Sequence, residues 1–221
     1  MTAAQAPPNP WFSWNYLSQN LDSLTAALEQ HVSLTAATIA IAAAIGIPLA
    51  VVSHKVRWLG GPILGLSGVL YTIPSLALFA LLGPILGLTF ETVLIGLVLY
   101  ALLMVVRNAL TGLQQVPADV RDAARGMGYG RFGLLWRIEL PLALPSIVTG
   151  LRIATVSTVA LVTVGTLVGF GGFGNVILTG FNSNFYKAQI MAGTLGCLIL
   201  ALLFDLMLAG LGRLATPWSR R

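Results

Sequence analysis

The raw material of a catalytic centre is scarce in this sequence, which has one cysteine (Cys197), two histidines (His31 and His54) and seven acidic residues in 221 positions. No motif gathers these types, so neither a metal site nor an acid–base active site is expected. No Gly-Lys-Ser/Thr phosphate loop occurs, so the chain is not expected to hydrolyse nucleotide or to bind a cofactor itself. Cys197 lies within an apolar run and reads as a small packing residue. Charge is equally sparse, at 9% of residues. The first thirty residues show no basic segment leading into an apolar core, so no secretory leader is expected.

What fills the chain is hydrocarbon. Hydrophobic residues make up 57% of it, and the mean hydropathy of +0.87 lies far outside the soluble globular range. A membrane span needs roughly 20 apolar residues. About five such stretches occur, near 32–53, 61–86, 91–106, 145–168 and 188–211. The runs are long and lack the alternation of a barrel, so the expected fold is an all-α, polytopic helical domain. No repeat or second domain is visible, and the transmembrane unit is placed at 31–212 with a short tail at 213–221.

The net charge of +5 has a topological explanation rather than a nucleic-acid one. Lys55, Arg57, Arg107, Arg121, Arg125, Arg131, Arg137, Arg213, Arg220 and Arg221 all fall between or beyond alternate spans, and Arg152 lies just inside the same end. Lys187 alone takes the other side. By the positive-inside rule the N-terminus is external and the C-terminus cytoplasmic. Trp11, Trp14, Trp58, Trp136 and Trp218 all avoid mid-span, as indoles that prefer the interface should.

Residues 1–10, with Pro7, Pro8 and Pro10, are expected to form a disordered external tail. Trp14, Leu17, Leu21, Leu24 and Leu28 then recur at helical spacing, which predicts an amphipathic surface helix over 11–30. His31 and His54 flank the first span and are expected at the interfaces. In the second span, Tyr71-Thr72-Ile73-Pro74-Ser75 puts a proline and polar groups at membrane depth. Pro74 lacks the amide donor that an unbroken helix needs, leaving either a packed kink or a segment facing a watery pathway. Tyr71 and Tyr100 are candidate pathway residues as the only tyrosines near membrane depth. Thr72, Ser75 and Asn108 are polar candidates of the same kind; packing is the alternative for all of them. Arg152 and Asp205 lie at similar depth in different spans and either pair or reach separately to the interface. Gly169-x-Gly171-x-x-Gly174 imitates a dinucleotide-binding fingerprint, but it follows a span rather than a strand and reads as a tight external bend.

The densest pattern lies in the cytoplasmic loop at about 107–144. Pro117 can open a short helix, Asp119 and Asp122 complement its positive end, and Gly126 and Gly128 can end it. A second segment carries Phe132, Leu135, Trp136 and Ile138 until Pro141 stops it. The twenty residues read Asp122-Ala123-Ala124, three residues, Gly128, nine residues, Ile138-Glu139-Leu140-Pro141. This resembles the "EAA" loop of ABC-importer permeases, with Asp122 in the position of the usual Glu. The resemblance extends over roughly 30–212. Ile73-Pro74-Ser75-Leu76-Ala77-Leu78, Gly150-Leu151-Arg152-Ile153-Ala154 and Gly169-Phe170-Gly171-Gly172-Phe173-Gly174 are similar to segments of osmoprotectant permeases.

That resemblance implies a permease subunit in the bacterial inner membrane, importing glycine betaine, choline, carnitine or a related amine. It implies that Asp122, Ala123, Ala124 and Gly128 dock on a separate ATPase, which binds ATP and Mg, and that Ile138, Leu140 and Pro141 fix the loop to the next span. A second permease subunit, an external substrate-binding protein and membrane lipid are the other implied partners. Importers of methionine or ergothioneine are the nearest alternatives, and a stand-alone secondary transporter or channel is the alternative of another class.

Overall fold

The computed structural model describes residues 9–219, and all of its regular elements are helical. Residues 1–8 of the expected tail, and Arg220 and Arg221, lie outside the described residues. The order is α1 (Trp14–Gln19), α2 (Leu21–Lys55), α3 (Arg57–Thr72), α4 (Ser75–Leu86), α5 (Phe90–Gln114), α6 (Ala118–Gly126) and α7 (Arg131–Leu134). A π-helical turn, Leu135–Glu139, leads into α8 (Leu140–Val162) and a 3-10 segment, Thr163–Val168. α9 (Phe173–Asn182), α10 (Lys187–Ala215) and a last 3-10 turn, Pro217–Ser219, complete the chain.

Among the described residues, four helical stretches are long and apolar enough to cross a bilayer: Leu21–Lys55, Phe90–Gln114, Arg131–Val168 and Lys187–Ala215. The expected second span is instead two helices, Trp58–Thr72 and Ser75–Leu86, bent by 94°. At 1.5 Å per residue the two halves are about 22 and 18 Å long, so neither crosses a 30 Å core unaided. α3 and α4 thus make one broken span or a re-entrant pair.

The N-terminal expectation needs correction. The 11–30 segment is not one amphipathic helix. Ser13 caps the six-residue α1 by accepting from the Tyr16 amide, and α2 then begins at Leu21 and runs unbroken through position 30. Its 35 residues extend about 52 Å, well beyond the hydrocarbon, so the polar-studded 21–30 stretch is the overhanging head of the first span. Nor is the chain free at Asn9, whose side chain donates to the Phe185 carbonyl (2.8 Å) and accepts from the Lys187 amide (2.9 Å).

α2, α5 and α8 form the centre. Ala50, Val106, Ala109, Leu113, Ala143 and Ile147 close one end of their contact, Ala42, Ala101, Val105 and Ala154 the middle, and Leu34, Leu97 and Val162 the other end, where Phe79 of α4 joins. Alanine recurs at the middle of this contact because helices in lipid gain little from apolar burial as such and associate by close van der Waals approach. At Gly150 an added Cβ would sit 2.5 Å from the Cβ of Asn108, so α5 and α8 meet almost backbone to backbone. α10 lies outside this core and leaves Leu198, Leu202, Leu203, Leu206 and Leu214 exposed, as a helix bathed in lipid would.

Candidate functional site

The loop between α5 and α8 has a defined architecture. Pro117, extended at ψ 143°, precedes α6, and Asp119 occupies its first turn. At the other end the Tyr129 amide donates to the Ala124 carbonyl (3.1 Å) and the Gly128 amide to the Arg125 carbonyl (2.9 Å). This is a Schellman cap, which requires a left-handed residue at the first of the two donors. Gly128 supplies it at φ +87°. Ala124 is buried against the rest of the loop, whereas Ala123 and Asp122 face outward. Asp122 accepts from Arg125 Nη1 at 2.9 Å, one turn along the same exposed face. Val120, Met127, Phe132 and Trp136 are also exposed, with the last two rings 5.9 Å apart. The nine-residue helix and the segment after it thus present an apolar and ion-paired face that no other described residue covers.

Pro141 does not stop the second segment, contrary to expectation. Helical structure continues from Arg131 to Val168, with Pro141 at the start of α8. A proline within a helix clashes with the carbonyl four residues back. Here the turn ahead of it is widened: the Leu140 amide donates to the Leu135 carbonyl, five residues back, so the ring finds room without a break. Ile138 is half-buried, and Leu140 packs on the Ala143 and Ile147 cluster, which fastens the loop to the bundle.

The widened turn contains a residue that motif reasoning passed over. Glu139 is 2% exposed, and its carboxylate accepts from Lys55 Nζ at 2.6 Å with His54 Nε2 at 3.5 Å. The last residues of α2 are thereby tied to the first residues of α8. Beside this pair opens a cleft of about 730 Å³, lined by His54, Lys55, Gln114, Arg121, Arg125 and Glu139 among others. The available sequence signal was a single acid in an otherwise basic segment. His54 accordingly packs against a carboxylate rather than standing free at an interface.

The second group of expected residues gathers at the α3–α4 break. Ile73, preceding the proline, is extended (ψ 125°), and Pro74 serves as the N-terminal cap of α4, its carbonyl accepting from the Leu78 amide at 2.9 Å. The Tyr100 hydroxyl donates to the Ile73 carbonyl, an acceptor that the break leaves without a helical partner. Such a bond is worth about 1 kcal/mol net in water-like surroundings, and losing it would leave a carbonyl unpaired at depth. Tyr71 meets Tyr100 edge to face at 5.8 Å, and Thr72 donates to Val69 at 2.7 Å. Tyr71, Thr72 and Pro74 are exposed and Ser75 is half-buried, whereas Tyr100 is buried. Asn108 is not part of this group. It sits about two helical turns along α5, donates to the Met104 carbonyl at 2.8 Å and packs on Gly150.

Arg152 and Asp205 are joined by two parallel hydrogen bonds, Nε to Oδ1 and Nη2 to Oδ2, both 2.8 Å. The bidentate fork anchors α10 to α8 at a depth where each charge alone would be costly. Asp205→Asn keeps the shape but forfeits half of the fork. We expect it to lower the yield of folded protein and its melting temperature in detergent, with Arg152→Lys milder because the opposite charges are kept. Equal melting of Asp205→Asn and the native protein would contradict this.

The opposite end of the bundle is closed by the glycine-rich segment. His31 is fully buried rather than interfacial. Its Nε2–H donates to the Val159 carbonyl (3.0 Å) and its Nδ1 accepts from the Phe173 amide (3.3 Å), a pairing that fixes the tautomer because neither backbone group can reverse its role. The Gln30 side chain accepts from the Gly172 amide at 2.7 Å. Residues 169–174 therefore form a packed corner ahead of α9, an element that the hydropathy profile alone did not separate. Among the described residues no three His, Cys, Asp or Glu side chains are placed to hold a metal ion.

Residues 36–221 match the family described as binding-protein-dependent transport system inner membrane component. The chain is 34% identical over 206 residues to a glycine betaine/carnitine/choline transport system permease protein of Bacillus subtilis, covering 93% of this chain and 90% of that protein. It is 34% identical to an osmoprotectant import permease protein of Salmonella typhimurium, over 92% of this chain and 96% of the relative. In three dimensions it resembles a chain of the inward-facing MetNI methionine ABC transporter, with a TM-score of 0.79 at 18% identity, over 90% of this chain and 98% of that one.

Proposed function

From the premise that this chain belongs to the binding-protein-dependent transport inner membrane components, we propose that it is the permease subunit of an ATP-driven importer of quaternary-amine osmoprotectants. The observation that carries the reading is the loop at 118–141: a Schellman-capped helix followed by exposed apolar and charged residues, tied to the bundle where Leu140 packs on the Ala143 and Ile147 cluster. Asp122, Ala123, Ala124 and Gly128 form the surface offered to a separate ATPase subunit. ATP and Mg reside on that subunit, and none of this chain's residues takes part in hydrolysis.

The basic end of the bundle, with Lys55, Arg121, Arg125 and Arg213, faces the cytoplasm, and the corner at 169–174 faces outward, where a substrate-binding protein would deliver solute. A second permease subunit completes the pathway. The broken α3–α4 pair, with Tyr71 and Tyr100 at its hinge, is the element best suited to line it, because a non-helical backbone at membrane depth is tolerated only against protein or a watery cavity. The substrate class follows from the two osmoprotectant relatives, whose similarity spans nearly the whole chain.

The test is uptake of labelled glycine betaine at high osmolarity, in native cells with and without the gene and with redundant importers removed. Loss of uptake, restored by the native gene, is the expected result. Unchanged uptake would overturn the substrate assignment and direct the search to other small solutes such as methionine.

A further inference from the structure

The docking loop could move by itself or carry part of the bundle with it, and the structure distinguishes the two. α8 is continuous with the loop's second segment, so displacement of the loop acts directly on α8. α2 has no covalent connection to it nearby: Lys55 and Glu139 are 84 residues apart in sequence. We infer that Glu139 is a positioning residue which makes the end of α2 travel with the loop, through its ion pair with Lys55.

Three observations converge. Glu139 is almost fully buried, so a carboxylate there must be paired, and the pair it makes is short (2.6 Å) and flanked by His54. The widened turn Leu135–Glu139 sits between the loop and α8, and Glu139 is its last residue. The cleft of about 730 Å³ beside the pair separates the end of α2 and the start of α3 from the loop's Arg121 and Arg125, so beyond the Ala50–Ala143 packing the ion pair spans the last gap towards the loop. A buried ion pair is a poor source of stability compared with an apolar contact, and its best-attested use is to fix register between elements. At this place, register means the relation between the ATPase-facing loop and the first span.

The inference rests on reading residues 118–141 as the ATPase-docking loop. It is tested in the whole importer, with its ATPase and binding protein, reconstituted in liposomes. Glu139→Gln should leave ATP hydrolysis running while solute imported per ATP falls about fivefold or more, the lower range of measured site-to-site coupling. Lys55→Met changes the more exposed partner and should give the same loss in a protein that folds normally. Lys55→Arg, which keeps the charge, should recover the native ratio. An unchanged ratio in Lys55→Met would overturn the inference.

A second readout needs no solute. Spin labels at Val52 and Leu142, both exposed, in a Cys197→Ser background should keep one separation in the nucleotide-free and ATP-trapped states of the native protein, and diverge between those states in Lys55→Met. A native separation that already changes between states would also overturn the inference. Failure of the ATPase to co-purify with the native chain would count instead against the docking loop, and absent betaine uptake with intact ATPase coupling against the substrate alone.

Discussion

Gly128→Val is expected to abolish transport while leaving the helical bundle assembled. Gly128 holds the left-handed position of the cap that ends α6, at φ +87°. A β-branched residue at such a φ is a steric outlier costing about 1–3 kcal/mol. Nothing lies within 4 Å of a Cβ placed there, so the cost is conformational and falls on the loop, not on neighbouring helices. The strain is relieved by undoing the Tyr129–Ala124 and Gly128–Arg125 hydrogen bonds, which re-aims the segment bearing Phe132 and Trp136. Loss of about 1–3 kcal/mol of well-docked loop corresponds to roughly 5- to 150-fold weaker ATPase association. The measurement is co-purification of the ATPase at fixed concentration, alongside the melting temperature of the permease alone. Gly126→Ala is the control: its site is also open and already helical, and alanine there is favourable by about 1 kcal/mol. Equal ATPase retention by Gly128→Val and Gly126→Ala would refute the capping role.

Gly174→Ala should do the reverse and prevent folding, although only one methyl group is added. A Cβ at this position would lie 2.6 Å from Thr163 Cα and 2.8 Å from its carbonyl carbon. These are backbone atoms of the 3-10 segment, fixed in turn by buried Gly165 and Val168, and no flexible side chain is available to yield. Overpacking of this kind costs about 3 kcal/mol, a large share of the 5–15 kcal/mol typical of a domain. The expected result is little protein in the membrane fraction and a clearly lowered melting temperature for what remains. Gly169→Ala, five residues earlier, has φ +86° but open space around it, so only the left-handed penalty of about 1–2 kcal/mol applies. A Gly174→Ala protein that melts with the native one would show that the corner is looser than described.

Two features explain why the loop was legible in advance and the hinge only partly so. The loop's pattern is local: Asp122, Gly128 and Pro141 act within a few turns, and capping chemistry is set by near neighbours. Even there, Pro141 was misjudged as a stop, because the compensating π-helical turn depends on how Leu135–Glu139 packs. At the hinge, Pro74 announced the break, but a sequence cannot state an angle. The 94° bend goes with α4 packing through Phe79 against Val93, Gly96 and Leu97 of α5, and with Tyr100 taking the Ile73 carbonyl. Polarity groups Asn108 with the pathway candidates, yet it faces the α5–α8 crossing because it differs from Tyr100 in rotation about the helix axis.

Hydropathy and charge by themselves determined the all-α class, the number of apolar segments and the distribution of basic residues, since these follow from composition along the chain and the cost of moving each group out of water. Motif spacing marked out the capped helix of the loop at 118–128. Only the tertiary structure decided that Glu139 meets Lys55, that Arg152 meets Asp205 in a bidentate fork, and that His31 is buried between Val159 and Phe173. Each of these joins residues 53 or more positions apart. Such pairings depend on which helix faces meet, and that is set by the collective packing of small residues such as Ala154 and Gly150, each contributing too weak a preference to be read alone.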